Sequence, residues 1–333
     1  MLILRKADVE SLLDGREQDV LDVVGRAYRL HDEGRSALPH SSFLRFPDQP
    51  RDRIIALPAF LGGDTKLAGL KWIASFPGNL ERGIPRASAA LLLNSCDTGV
   101  PEALLEASLI SARRTAAGAA LGALALGVEA APRGVSLLGC GVINFETLRF
   151  LRTAAPSLAE VALFDLDAER AKTFAERAEA TFAGLTVTVV DSAAEALAAH
   201  RLVALATTAA TPYLDLADCR PGTTVLHTSL RDIEPEALLG AQNVVDDVDH
   251  VARERTSVHL AEQLAGHRDF IDATIGAVLR DPAALTRDPE RVLVYSPFGL
   301  GVLDIALADH VRTLALAAGR GVRVDDFLTE AQA

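Results

Sequence analysis

Gly134-Val135-Ser136-Leu137-Leu138-Gly139-Cys140-Gly141-Val142-Ile143-Asn144 is the stretch whose reading decides the fold. Val135, Leu137 and Leu138 form a short apolar run that predicts a buried strand, and Gly139-Cys140-Gly141 predicts the tight turn that ends it. From Val142 to Ala155, Ile143, Leu148 and Leu151 fall at helical spacing, and Pro156 stops the helix. This is a G-x-G-x-x-G fingerprint with Asn144 in place of the third glycine. The first glycine permits the turn, and the second lets backbone approach a pyrophosphate at the helix N-terminus. The third position governs helix–strand packing, so Asn144 weakens the pattern without breaking it. Gly139, Gly141, Val142 and Ile143 are therefore candidate cofactor contacts.

Outward from this turn, the chain alternates. Val161 to Leu166 predicts a strand, and Asp167 is placed to cap a helix carrying Ala171, Phe174 and Ala178. Thr186 to Val190 follows, with Asp191 and Ser192 as caps for a short helix. Further buried strands are predicted at Leu202 to Thr207, Thr223 to Ser229 and Asn243 to Asp247. Near-continuous apolar strands alternating with helices indicate an α/β fold with a parallel sheet covered on both faces. Residues 119–301 are assigned to this Rossmann dinucleotide-binding domain.

Residues 1–118 read differently. A helix-like segment, Val9 to His31, precedes strand candidates at Arg53 to Pro58, Ala68 to Ser75 and Ala87 to Asn94. Turn-rich pieces such as Leu61-Gly62-Gly63-Asp64 separate them. These residues are expected to form an α+β substrate-binding and dimerisation domain. The last helix, roughly Val302 to Ala318, places the C-terminal segment 302–333 with that domain.

Bulk properties exclude several classes of function. A net charge of −12 repels nucleic acid and anionic lipid, so any anionic ligand needs local positive charge. Three unpaired cysteines, Cys96, Cys140 and Cys219, argue against a disulfide framework or a structural zinc site, and no metal is expected. The N-terminus lacks a basic segment leading into an apolar signal core, and the longest uncharged stretch, Ala116 to Val128, is too short to span a bilayer. A cytoplasmic protein, with no nucleic-acid or membrane partner, is expected.

Asp165 stands 165 − 141 = 24 residues after the second glycine of the turn, at the end of the next strand. That is the place of a carboxylate that binds the adenosine ribose, and no arginine directly follows it, which favours NAD over NADP. The structural alternative is a glycine turn that binds nothing, with Asp165 a solvated strand end.

Other elements carry a family resemblance. Gly69-Leu70-Lys71-Trp72-Ile73, Pro85-Arg86-Ala87-Ser88-Ala89 and Glu106-Ala107-Ser108-Leu109-Ile110-Ser111-Ala112-Arg113-Arg114-Thr115-Ala116-Ala117 resemble the ornithine cyclodeaminase/mu-crystallin family. The order of elements agrees over essentially the whole chain. Ser42-Phe43-Leu44-Arg45, Ser229-Leu230-Arg231-Asp232 and Pro297-Phe298-Gly299 add support. The Arg-Ala-Ser and Lys-Trp-Ile elements resemble the branch that makes 2,3-diaminopropionate for siderophores and peptide natural products. The resemblance implies NAD-dependent oxidation of N-(2-amino-2-carboxyethyl)-L-glutamate to an imine, hydrolysed to 2-oxoglutarate and L-2,3-diaminopropionate. It also implies a homodimer.

The same resemblance supplies roles. Lys71, flanked by Leu70, Trp72 and Ile73, is expected to be desolvated and suited to proton transfer or to orienting water; the alternative is an outward-facing lysine. Arg45, Arg86 and Arg114 are candidate carboxylate clamps, because guanidinium meets carboxylate in a bidentate fork. Arg114 is also expected to open an Ala-rich helix at 115–126 and to reach the pyrophosphate, with Thr115 beside it as a cofactor contact; Arg113 is left as structural. Asp232 is expected to accept the amine proton or hold the substrate ammonium, the alternative being an N-cap for a segment starting at Ile233. The family's Asp lies in a Gly-x-Asp-type loop, so Ser-Leu-Arg-Asp departs from that pattern. Thr207, Thr208 and Ser229 are expected near the cofactor, and His227 and His259 are read as packing residues.

Competing readings remain within the fold: an ornithine cyclodeaminase, an imine reductase or an alanine dehydrogenase. Outside catalysis stands a dinucleotide-dependent binding protein of the mu-crystallin kind, and the joint presence of Lys71 and Asp232 argues for an enzyme instead.

Overall fold

Buried leucine, valine and alanine runs organise the chain into two compact units, residues 1–114 with the segment from Leu300 onward, and Thr115–Gly299. The computed structural model describes residues 1–328 except Thr65, Val128 and Ala130.

In the first unit the chain runs β1 (Leu2–Leu4), α1 (Lys6–Leu13), α2 (Glu17–Asp32), β2 (Ser36–Ala37), β3 (Ser42–Phe46), β4 (Gln49–Leu61), β5 (Leu67–Ser75), β6 (Ala87–Asn94) and β7 (Pro101–Glu106), and then enters α3 (Ser108–Leu126). The sheet order is β16-β1-β7-β6-β5-β4-β2, with β16 at Val322–Arg323 and β3 paired to β4. Antiparallel register sets Leu57 and Leu91 on either side of Lys71. On that sheet face lies α11 (Gly301–Ala317), packed on β4, β5 and β6, with α2 against it. Val20, Leu21, Val24, Ala27 and Tyr28 of α2 are buried at helical spacing, which is the stripe that seats the helix.

The second unit is a doubly wound parallel sheet. Its strands are β8 (Gly134–Leu138), β9 (Glu160–Phe164), β10 (Thr186–Val189), β11 (Leu202–Leu205), β12 (Thr224–His227), β13 (Gln242–Val245), β14 (Ala273–Thr274) and β15 (Leu293–Ser296). The intervening helices are α4 (Val142–Ala154), α5 (Ala168–Thr181), α6 (Ala193–Ala199), α7 (Pro235–Gly240), α8 (Val248–Val251), α9 (Ser257–Ala265) and α10 (Ile275–Arg280). Strand order is β10-β9-β8-β11-β12-β15-β13-β14, with every pairing parallel. The chain leaves β8 toward β9 and β10, then crosses back to β11. That reversal opens a crevice at the carboxyl ends of β8 and β11, where such sheets bind ligands. The fold class expected from sequence is thus observed: a Rossmann-type α/β unit and an α+β unit.

Three local expectations need correction. The segment Val9 to His31 is two helices, because Gly15 turns the chain at φ +67° between α1 and α2. The Ala-rich helix begins at Ser108 and not at Thr115, so Arg114 lies in its second turn, away from the exposed N–H groups of its start. The C-terminal segment 302–333 is not one helix: α11 ends at Ala317 and β16 follows, while residues 329–333 lie outside the described residues. Beyond these, β1, β2, β3, β7, β14, β15 and β16 formed without a sequence prediction, and Phe164, not Leu166, ends β9.

Candidate active site

Each unit carries its own group of chemically competent residues. In the second, Gly139 adopts φ +98°, and a Cβ there would lie 2.5 Å from the Ala206 carbonyl oxygen. Only glycine fits this turn without strain. Gly141 is different: φ is −93°, and a Cβ would meet nothing within 4 Å. The second glycine therefore keeps open space in front of the α4 N-terminus, which has no side-chain cap. Backbone N–H groups left uncapped beside such a space suit an anionic group. Val142 and Ile143 form the first turn of α4, and Val142 is exposed.

Asn144 explains how the motif survives without its third glycine. Its wholly buried side chain donates from Nδ2 to the Leu138 carbonyl at 2.9 Å and the Gly139 carbonyl at 2.8 Å. The amide ties the helix to the strand end, a job the glycine does by close packing. Asp165 follows β9 and turns toward the same loop. Its Oδ2 accepts the Cys140 N–H at 2.7 Å, and its Oδ1 accepts the Asp167 N–H at 3.0 Å. Burial and the neighbouring Asp165 carboxylate push the Cys140 thiol up to about 12, so it stays protonated.

Asp232 is wholly buried and is not an N-cap: Glu234 occupies that place for α7. Thr207 donates its hydroxyl to Oδ1, Ser229 donates its hydroxyl to Oδ2, and His227 Nε2 stands 3.2 Å from Oδ2. Burial pushes the Asp232 carboxyl up, but the His227 ring and the two hydroxyls outweigh it and leave the group below the usual carboxylate range. His227, read from sequence as a packing residue, is thus a polar partner of Asp232, with its Nδ1 3.3 Å from Ser296 Oγ. Thr208 is exposed and takes no part in this group, and His259 interacts with Arg255 and Gln263 at the start of α9. Leu230, beside Ser229, holds φ +68°, an uncommon value for a branched residue that marks the tightness of this loop.

In the first unit Lys71 is buried on β5, as expected, and its partner is a residue that sequence reading missed. Lys71 Nζ donates to Asp304 Oδ2 at 2.7 Å and to Ser111 Oγ at 3.2 Å. Arg114 Nε donates to Asp304 Oδ1 at 3.0 Å. Burial, then the Arg114 charge, pulls the Lys71 amine down to about 8 against the opposing pull of Asp304. Asp304 has a faint signal in sequence, being the one charged residue in the run from Phe298 to Ala308.

Strand register puts Arg45 on the Lys71 face, and a hydrogen bond brings the Arg86 guanidinium to Ser75 on that face. Arg45 of β3 pairs with Arg53 of β4, which pairs with Ser75, two residues from Ile73 and four from Lys71 on β5. Arg86 donates from Nη1 to Ser75 Oγ at 2.8 Å. Arg45 is exposed and lies 5.3 Å over the Phe43 ring. Arg113 points away from this group and donates to the Leu13 carbonyl. Thr115 sits one residue after Arg114 in α3 and is half-buried. Lys71 and Arg114 thus meet at Asp304, while Arg45 and Arg86 lie toward the Ser75 end of the same strand.

Asp246, also unforeseen, follows β13 and is buried. It accepts the Phe298 N–H at 2.8 Å and the Gly299 N–H at 2.7 Å, so it clamps the Pro297-Phe298-Gly299 element. Burial pushes its carboxyl up to about 6. Among the described residues no cluster of metal-ligating side chains occurs, and no helix is long and apolar enough to cross a membrane.

The sequence profile of the ornithine cyclodeaminase/mu-crystallin family matches residues 1–319. The chain is 27% identical to the N-((2S)-2-amino-2-carboxyethyl)-L-glutamate dehydrogenase of Staphylococcus aureus, across 92% of this chain and 93% of that protein. It is 28% identical to the alanine dehydrogenase of Archaeoglobus fulgidus, across 98% of each. Among solved structures, an archaeal alanine dehydrogenase dimer with bound NAD is 27% identical, with a TM-score of 0.87 over 98% of this chain and 99% of that one.

Proposed function

Because this chain belongs to the ornithine cyclodeaminase/mu-crystallin family, we propose that it is an NAD-dependent dehydrogenase that cleaves N-(2-amino-2-carboxyethyl)-L-glutamate oxidatively. The observation that carries this reading is the buried amine of Lys71 beside Arg114, on a sheet face that also bears Arg45 and Arg86. A substrate with three carboxylates and a secondary amine matches a set of cationic groups of that kind. Likeness to the Staphylococcus aureus dehydrogenase supports the choice of conjugate.

Gly139, Gly141 and the first turn of α4 would hold the pyrophosphate, Asp165 the adenosine ribose, and Thr115, Val142, Ile143, Thr207, Thr208 and Ser229 are the further candidate contacts. The bound nicotinamide supplies a hydride acceptor. NAD is preferred to NADP because Asp165 would repel a 2′-phosphate, and Leu166 and Asp167 after it bring no cation. Arg45, Arg86 and Arg114 bind substrate carboxylates. Loss of hydride from the glutamate α-carbon leaves a C=N bond. Lys71, in its neutral form, takes a proton from the water that attacks this carbon. The C–N bond then breaks, the nitrogen keeping the electron pair and gaining a proton, to give 2-oxoglutarate and 2,3-diaminopropionate. Asp232, kept ionised by the Thr207 and Ser229 hydroxyls and the neighbouring His227 ring, stabilises positive charge on the substrate nitrogen.

A second copy of the chain is the proposed partner. Leu44 is 45% exposed and Trp72 42% exposed, and register puts both on the sheet face opposite Lys71. An exposed apolar face of this kind is commonly an interface, and the archaeal alanine dehydrogenase relative is dimeric.

The test is NADH formation by the purified protein with NAD+ and the glutamate conjugate, beside L-ornithine, L-alanine and L-proline. Turnover of the conjugate to both products supports the assignment. Turnover of alanine, ornithine or proline instead would replace it with another reaction of the same family.

A further inference from the structure

Asp304 sits on α11 with its side chain fully enclosed. A carboxylate in such a place has lost its hydration and persists only where cations and hydrogen bonds replace the lost water. Each of its oxygens is claimed by a different cation, Oδ2 by Lys71 at 2.7 Å and Oδ1 by Arg114 at 3.0 Å. Ser111 completes the group, its Oγ 3.2 Å from Lys71 Nζ and 3.5 Å from Arg114 Nη2. Residues from β5, α3 and α11 therefore fix one amine in place. Stability does not call for this, since apolar residues of the same volume serve a core as well as a buried ion cluster.

We propose that Asp304 is a positioning residue of the reaction, anchoring the Lys71 amine and offsetting the like charge of Arg114 so that the amine can both hold and release a proton at working pH. The inference rests on the reading of Lys71 as the proton-transfer group. The charged groups facing the amine are Arg114 from α3 and Asp304 from α11, while its strand neighbours, Leu57 of β4 and Leu91 of β6, bring none. With Asp304 neutralised, Arg114 acts on the amine unopposed and its proton affinity falls further.

The chain contains only Lys6, Lys66, Lys71 and Lys172 as lysines, so carbon-13 labelling at lysine Cε gives a spectrum in which Lys71→Arg assigns the signal of interest. Titration of the full-length wild type should give a Lys71 midpoint near 8. In Asp304→Asn the midpoint should fall by about 1–3 pH units, as expected for loss of an opposite charge at contact, and Asp304→Glu should restore most of it. The pH limb of kcat should move with the midpoint. An Asp304→Asn protein that melts cooperatively with its Lys71 midpoint unmoved overturns the proposal, as does a midpoint that moves while the kcat limb stays. Should Asp304→Asn not fold, Arg114→Gln tests the same balance from the other side: the midpoint must rise, and an unchanged one refutes the account. The titration needs no substrate, so absence of turnover counts against the enzymatic reading alone.

Discussion

The Asp165 carboxylate closes the glycine turn, its Oδ2 accepting the Cys140 N–H at 2.7 Å. One acidic side chain thus serves the loop that precedes α4 while standing where the ribose of a dinucleotide is expected. Replacing it by serine removes the charge that repels a 2′-phosphate. Asp165→Ser should lose affinity for NAD and gain relative use of NADP, measured as the ratio of kcat/KM values for the two cofactors. An unchanged ratio would remove Asp165 from cofactor selection.

The two glycines of the turn should fail in different ways. Gly139→Ala meets the Ala206 carbonyl and a positive φ, so it should lower stability by roughly 1–3 kcal/mol. Gly141→Ala has an ordinary φ and no clash, so thermal stability should hold while NAD affinity drops. Melting curves and cofactor titrations on both variants separate folding from binding. Equal melting losses would show that the space before α4 is not a ligand space.

Lys71, with an amine pulled down to about 8, should set a pH limb of the proposed reaction. In the proposed reaction the neutral amine is the base, so activity in the oxidative direction should rise as pH climbs through about 8. Lys71→Ala should abolish turnover at every pH while leaving NAD binding in place. A wild-type profile flat from neutral to alkaline pH would exclude Lys71 as the proton acceptor.

Asp232 is held ionised by donated hydrogen bonds, and each is separable by mutation. Thr207→Val leaves Oδ1 without its hydroxyl donor, which costs about 1.5–3 kcal/mol for a bond to a charged acceptor. The Asp232 pKa should rise toward the usual carboxylate range, so the acidic limb of the activity profile should move to higher pH. Ser229→Ala should act in the same direction through Oδ2. Profiles that fall in amplitude without moving would assign these hydroxyls a purely packing role.

Asp246 makes a prediction about stability. Its folded-state pKa of about 6 lies above the ordinary 3.8, so the fold favours the protonated form. Such a group stabilises fully at low pH and loses that contribution as pH rises through 6. Relative to Asp246→Asn, the wild type should therefore lose about 2 kcal/mol between pH 4 and pH 7. Urea unfolding of both proteins at the two pH values gives the double difference, and a value near zero would contradict the burial of an ionisable carboxyl there.

Local chemistry made much of this protein legible before any coordinates. The strand, turn and helix around Gly139 follow from an apolar run, a glycine pair and helical spacing, all within some twenty residues of one another. Asp167 caps α5 and Ser192 caps α6 as their side chains dictate. Buried Lys71, and Arg45 and Arg86 as candidates beside it, were reached through the family's motifs. What stayed hidden were partners supplied by distant chain. Asp304 meets Lys71 across 233 positions, His227 turns toward Asp232 inside an apolar strand, and Asp246 reaches 52 residues on to Phe298. Periodicity reports which face of an element is buried, and motifs report what a short segment can bind. Neither says which buried charge will stand opposite which, because the cost of desolvating a carboxylate is met only when packing brings its cations to it. The sequence determined the Rossmann turn and the lysine; tertiary packing alone decided that this lysine shares its carboxylate with Arg114.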